Sequence, residues 1–311
     1  MKSIVAKEFQ NEVTEILQLT YANIVSLYVA QNYFKCNLSS DQKILDILPN
    51  KFPYSYYNVS KNDFLNKINI FEKSIYQNCM VNLIISIENF CYEALERYYI
   101  LNIQELNAEE SKLSFTEIYA HMQNARLEIV LCKILVERKL RNETTKNMLE
   151  KLGRITKNGF VKTLENHIEK IDKYSLVRNC IVHNQSRVSR DLSVKYNSEF
   201  GSIDEHINID HKMCVDLSQT ILDIVSEFDA LYSKNVIKNY DAIALTKEFF
   251  ILRGDSDYKI HKRMIDAILG RGKVTREIID KSLSELKNQK ADIFFEQICN
   301  KASRLIQNYH T

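Results

Sequence analysis

Apolar side chains recur at three- and four-residue intervals along most of the chain, the spacing of one helical face. From about Val5 to Phe34 the stripe is Ile16, Leu17, Tyr21, Ile24, Leu27 and Tyr28. A polar, Tyr-rich loop follows, holding Pro49 and Pro53. Ser60 and Asp63 stand three apart ahead of an apolar run and resemble a capping box, so a long helix is expected from about Phe64 to Leu101. Its middle, "VNLIISIENFCYEAL", is apolar on most sides, which marks it as the central buried helix. Ser114 and Glu117 form a cleaner capping box. Helical pattern then runs to about Leu152, with a break near Gln123, and Gly153 is expected to stop it. Asn158-Gly159 signals a turn, and the next helix should span about Phe160 to His183.

The period then changes. Between Gln185 and Asp210, Val194 with Tyr196 and Ile207 with Ile209 alternate two by two around Phe200-Gly201, so a small extended hairpin is expected. Helical spacing returns from about Lys212 to Tyr232. The last ~80 residues read as three or four shorter helices broken at Gly254 and at Gly270 to Gly272. The expected fold class is all-α, with a small extended hairpin insertion and a C-terminal helical appendage. The expected segments are an N-terminal helix and loop over 1–60, a helical domain over 61–232 and a C-terminal helical region over 233–311.

Composition agrees. Only 6 Gly and 2 Pro occur in 311 residues, which argues against collagen, β-solenoids and most all-β folds, since these need frequent turn residues. Basic and acidic residues number 42 and 40, for a net charge of +2, so the chain as a whole is no polyanion coat, although a local basic patch remains open. The odd set Cys36, Cys79, Cys91, Cys132, Cys180, Cys214 and Cys299 has no Cys-x-x-Cys spacing. It reads as reduced core thiols of a cytoplasmic protein, neither a disulfide frame nor a zinc site. Glu8 and Glu12 near the start do not suit a signal peptide. The most apolar run, Val81 to Ile87, is far short of the ~20 residues that cross a bilayer, so no membrane partner is expected.

Candidate chemistry concentrates in "YSLVRNCIVHNQSRVSRD", Tyr174 to Asp191. Arg178 falls beside the apolar stripe that contains Leu164, Ile171 and Val182, where a guanidinium is costly to bury unless it is paired or faces a polar cleft. Asn179 and His183 lie one turn apart on a shared face. Arg178 and His183 are about 140° apart on an ideal helix, and a long Arg side chain or a loosened helix end could bring them to one cleft. Such a set suits RNA cleavage. A histidine can exchange a proton with a ribose 2′-hydroxyl or the leaving oxygen near neutral pH, and an Arg fork stabilises charge growing on the phosphate. No metal or other cofactor is needed, because the RNA carries its own nucleophile. On spacing alone the commoner reading of these residues is satisfied polar groups on a core or surface helix.

"RNCIVHN" in an all-helical chain resembles the HEPN superfamily (higher eukaryotes and prokaryotes nucleotide-binding), whose signature is Arg, four to six residues, then His, often with a polar residue after the Arg. Here it is Arg178, Asn179, then Cys180, Ile181, Val182 and His183. The preceding helix with "ISIENFCYEALERYY" is similar to the earlier helix of such domains, and the resemblance covers about Phe64 to Tyr232. It implies a HEPN-like helical bundle that forms a homodimer and sets two Arg/His pairs in one cleft. It implies a metal-independent endoribonuclease of bacterial defence or toxin–antitoxin type, acting on an RNA such as tRNA or mRNA. An antitoxin or another defence-system protein would be a further partner. Carried over, Arg178 binds the scissile phosphate, His183 is the acid/base and Asn179 orients one of them. One subgroup has Tyr two residues after the His as a modification target. Here that position is Gln185, which puts that control in doubt. Other members keep the fold without catalysis, so the alternative is a non-catalytic interaction or scaffold module.

Glu88 interrupts the long apolar helix and is a candidate supporting residue, either pairing with Arg178 or lining the cleft; an exposed carboxylate is the plainer reading. Lys173, Arg187, Arg190 and Lys195 flank the motif and could track an RNA backbone, or form a solvated loop. Other signals are discounted. Asp204, His206, Asp210 and His211 match no standard metal spacing. "GRGKVT", Gly270 to Thr275, lacks the residues of a phosphate loop and reads as a helix stop followed by a Thr275 N-cap.

Overall fold

The helical spacing is realised as eleven α-helices, with no strand among the described residues. The computed structural model describes residues 2–37, 39, 42–47, 59–105, 114, 116, 119, 127–156, 164–272, 274–287 and 293–309. The helices are α1 (Ile4–Asn37), α2 (Lys61–Leu101), α3 (Leu127–Leu140), α4 (Thr145–Ile155), α5 (Glu165–His183) and α6 (Arg190–Phe200). There follow α7 (His211–Tyr232), α8 (Tyr240–Arg253), α9 (Tyr258–Leu269), α10 (Arg276–Lys287) and α11 (Ile293–Tyr309). No helix of the described residues is long and apolar enough to cross a membrane. The loop with Pro49 and Pro53, the break near Gln123, the Asn158-Gly159 turn and the Glu117 half of the second capping box lie outside the described residues.

The chain divides into two compact units. The first comprises Met1–Glu12, Ile85–Asp172 and Gln219–Thr311. Its core is built on the second half of α2, where Ile87, Phe90, Cys91, Ala94 and Leu95 are buried. Phe90 packs on Phe9 of α1 and Phe228 of α7, with ring centroids 5.2 and 5.7 Å away. Tyr232 stacks on Phe228 and donates its hydroxyl hydrogen to the carbonyl of Ala94 at 2.9 Å. Helix α8 packs against α9, α10 and α11, and Lys301 of α11 bridges Glu8 of α1 and Glu93 of α2.

A buried charge cluster lies in this core. The Arg97 guanidinium of α2 is bonded to the Asp241 carboxylate of α8, and both side chains are wholly buried. Asp241 also accepts the Ile4 N–H, and Asp229 of α7 accepts the Ser3 N–H. Two carboxylates thus satisfy amides at the start of α1, which have no partner within their own helix and carry the positive end of its dipole. Burial pushes the Asp229 carboxyl up to about 6, against the lowering effect of its Ser3 bonds. That value lies above the ~3.9 of an unfolded Asp, so the fold holds this proton more tightly than the unfolded chain does. The stability from Asp229 is therefore full below about pH 4 and is lost as pH rises through about 6. Asp229→Asn removes that step. Its stability relative to wild type should improve by about 2–3 kcal/mol between pH 4 and 7 in urea unfolding curves, and parallel pH profiles would refute this.

The helix ends follow local chemistry. Thr275 caps α10 by accepting the Ile278 N–H at 3.4 Å, as the sequence suggested. Gly254 ends α8 at φ 68°, with no atom within 4 Å of where a Cβ would stand. Gly254→Ala should therefore cost only the left-handed backbone strain, about 1 kcal/mol, read as a shift in thermal midpoint. Gly153 does not stop its helix. It is buried inside the last turn of α4, which runs on to Ile155 and ends at Thr156, whose hydroxyl bonds the Gly153 carbonyl at 2.8 Å.

The second unit comprises Val13–Ile84 and Lys173–Ser218. Phe34 of α1 meets Phe64 of α2 edge-on at 4.8 Å, over Ile44 and Val59. Ser60 caps α2 by accepting the Asp63 N–H at 3.1 Å. The expected hairpin over Gln185 to Asp210 is corrected: its middle is helix α6. Ser189 caps α6 through the Leu192 N–H, Leu192 and Phe200 face inward at helical spacing, and Val194 is solvent-exposed, so its alternation with Tyr196 was coincidental. Only the flanks are extended, joined by one isolated bridge between Arg187 and His206. Ile207 and Ile209 are both buried there.

Candidate functional site

Helix α5 carries the site. Ile168, Ile171, Tyr174, Val177 and Cys180 form its buried stripe. Tyr174 donates its hydroxyl hydrogen to Asp216 of α7 at 3.0 Å, fixing the helix from within the second unit. That bond joins residues 42 apart, and no local spacing signals it. Burial, then the Asp216 bond, raise the Tyr174 hydroxyl above the ordinary tyrosine range.

The end of α5 is held by a tight turn. Gln185 and Ser186 both take left-handed backbone, at φ 52° and 60°. Such conformations cost non-glycine residues on the order of 1–2 kcal/mol each and persist where the surroundings over-determine them. Here the Ser186 N–H returns to the Cys180 carbonyl at 3.1 Å, and the Asn184 side chain donates to the Arg187 carbonyl at 2.9 Å. The Val188 and Ile207 N–H groups bond the Glu205 and Ser186 carbonyls at 2.8 and 2.9 Å. The turn directly after His183 is therefore fixed by several independent bonds.

Asn179 and His183 are both exposed and lie one turn apart on α5. Arg178 is half-buried, with its Nε shielded from solvent, and its Nη1 donates to the Asn179 Oδ1 at 3.0 Å. The guanidinium is thus drawn toward the Asn179 side of the helix. Val182, expected in the apolar filling of the motif, is instead 49% exposed on the same face.

The flanking basic residues differ among themselves. Lys173 is paired with Glu199 of α6 at 2.8 Å and lies over the Tyr174 ring. Its charge is offset, so it is a poor phosphate ligand. Arg187 spends Nη1 on the Asp204 carbonyl at 3.0 Å but keeps its full charge at the surface. Arg190 and Lys195 are exposed on α6. Glu88 belongs to the first unit, where its Oε1 accepts the Thr145 hydroxyl at 2.7 Å.

Among the described residues no three His, Cys, Asp or Glu side chains come together as a metal site. Asp210 caps α7 through the Met213 N–H at 2.9 Å, and the His211 ring packs near Tyr21 and Tyr76. Five of the seven cysteines are buried, while Cys36 is exposed and Cys299 is half-buried, so the expectation of core thiols does not hold for those two. Hydrogen bonding to Cys214 of α7, and then to Thr20, lowers the thiol of Cys79 on α2 against the effect of burial. The two cysteines stand far apart in sequence, and no spacing announces the pair.

No family model, curated protein or solved structure matches the chain.

Proposed function

We propose that this chain is a metal-independent endoribonuclease of a bacterial defence or toxin–antitoxin type system, with its site on the exposed end of α5. The observation that carries the reading is the Arg178–Asn179 bond. It places a cation on the side of the helix where Asn179 and His183 meet solvent. The resemblance of "RNCIVHN" to the HEPN signature supports the same residues. In this reading the RNA 2′-oxygen attacks the adjacent phosphorus and the bond to the 5′-oxygen breaks. His183 exchanges the proton at the attacking or leaving oxygen, Arg178 offsets the charge on the phosphate, and Asn179 holds the Arg178 head. The products are a 2′,3′-cyclic phosphate and a 5′-hydroxyl. A homodimer supplies a second such set, and the substrate class is tRNA or mRNA.

The test is incubation of the protein with total RNA and tRNA in chelator, beside His183→Ala, with mapping of the ends formed. Cleavage by wild type alone, leaving cyclic phosphate ends, supports the reading. The same cleavage by His183→Ala removes His183 from the chemistry. Arg190→Ala with Lys195→Ala should weaken RNA binding and reduce the log–log salt slope by about two, measured by titration at several salt concentrations.

Val182 favours a second reading. An exposed apolar side chain on the face of Asn179 and His183 suits a protein contact. The chain would then be a non-catalytic interaction module, with an antitoxin or another defence-system protein docked there. Loss of partner binding in Val182→Glu, with no cleavage by wild type, would select it.

A further inference from the structure

Two buried thiols meet inside the second unit. Cys79 lies on α2 and Cys214 on α7, and each is 2% exposed. The Cys214 Sγ donates to the Tyr76 carbonyl at 3.5 Å, 138 positions earlier in the chain. Tyr76 and Cys79 stand three apart on α2 and share a face, so Cys214 reaches onto the turn that carries Cys79. The two sulfurs are hydrogen-bonded to each other, and the Thr20 hydroxyl of α1 also bonds the Cys79 sulfur.

The contact divides the pair into unlike partners. The bond from Cys214 lowers the Cys79 thiol, and Thr20 adds to this against the effect of burial. The Cys214 thiol is raised, first by the bond to Cys79 and then by burial. Cys79 is thus the readier thiolate, with a protonated thiol already beside it, the arrangement of an attacking and a resolving sulfur. Buried cysteines elsewhere differ: burial pushes up the Cys91 thiol and takes that of Cys132 to about 12.

We propose that Cys79 and Cys214 form a site of oxidative modification, which a hydroperoxide converts to a disulfide joining α2 to α7. The Cys79 thiolate attacks one peroxide oxygen and the O–O bond breaks. Cys79 becomes a sulfenic acid, and the departing hydroxide takes up the proton that Cys79 released, giving water. The Cys214 sulfur then attacks the sulfenic sulfur, the S–O bond breaks, and the leaving hydroxide takes the Cys214 proton as a second water. The two thiols lose two electrons between them, and the peroxide is reduced by two. Sulfurs in hydrogen-bond contact need only a small side-chain rotation to bond. Burial selects the oxidant: hydrogen peroxide is little larger than water and enters through local openings, whereas a bulky disulfide such as oxidised glutathione is shut out.

The inference does not rest on the ribonuclease reading, since neither sulfur takes part in that chemistry. The experiment uses the full chain with Cys36→Ser and Cys299→Ser, which removes the two thiols that are not buried. It is treated with a few equivalents of hydrogen peroxide, denatured, alkylated and digested for peptide mapping. Fragmentation separates Cys79 from Cys91, which share a tryptic peptide. The expected product is a disulfide between Cys79 and Cys214 that dithiothreitol reverses. With Cys214→Ser added, the reaction should stop at a Cys79 sulfenic acid, trapped by dimedone on denaturation. Both thiols still open to alkylation after peroxide, or a disulfide from Cys79 to Cys91, overturns the proposal. A dimedone adduct on Cys214 in the chain with Cys79→Ser overturns the assignment of Cys79 as the attacking sulfur. The mapping of the parent chain decides the disulfide even where a serine at either position fails to fold.

Discussion

Asp241→Ala should destabilise the first unit by about 3–5 kcal/mol. Arg97 is wholly buried, and Asp241 is bonded to its guanidinium. Removing the carboxylate strands that cation in the core and also deprives the Ile4 N–H of its acceptor at the start of α1. Asp229 remains close enough to Arg97 to offset part of the loss, since the Arg97 charge acts to lower the Asp229 carboxyl. At about 2–4 °C per kcal/mol for a unit of this size, the thermal midpoint should fall by roughly 6–20 °C. The pair itself is not expected to be a net gain over apolar packing, because desolvating two charges costs about what their attraction returns. Arg97→Met with Asp241→Leu should therefore recover most of the loss. If Asp241→Ala melts within about 1 °C of wild type, the buried pair is not holding this unit together.

That charge cluster marks the limit of what the sequence disclosed. Helices α1, α2 and α7 were legible within a few residues, because each repeats apolar positions over many turns and Ser60 caps the second. Of the three or four C-terminal helices expected, the boundaries between α8, α9 and α10 were legible from Gly254, Gly270 and Thr275, which act locally, whereas no such signal separated α10 from α11. Arg97, Asp229 and Asp241 carried no signal. Each reads as an ordinary surface charge, and only tertiary packing brings them to one place. The hairpin over Gln185 to Asp210 failed for the opposite reason. Two short period-two matches were taken together, although Ser189, Leu192 and Phe200 already spelled a capped helix. At the candidate site the sequence placed Asn179 and His183 on one face but could not place the Arg178 head, because a long side chain is free to swing until its partner is known. Val182 misled for a related reason: an apolar residue at a stripe's edge can turn outward once Cys180 and Val177 fill the core.

Under the proposed ribonuclease reading, His183→Ala should lower RNA cleavage by about 10²–10⁴-fold, the ordinary contribution of a positioned acid or base. Arg178→Ala should cost about 10²–10³-fold, the size of a lost charge stabiliser. Arg178→Lys should recover little, because an ammonium cannot both donate to the Asn179 carboxamide and present a second fork arm to a phosphate. Combining His183→Ala with Arg178→Ala should cost little more than His183→Ala alone, since residues that act as a unit are not additive. Stability separates chemistry from structure. His183 is exposed, and its truncation should shift unfolding by no more than about 0.5 kcal/mol. Arg178 is half-buried with a shielded Nε, so its truncation should cost more. A site that serves catalysis therefore shows large rate losses with a small stability change at His183. A seam that only binds a partner shows none of the rate loss, because wild type does not cleave. Undiminished cleavage in His183→Ala would remove His183 from the chemistry.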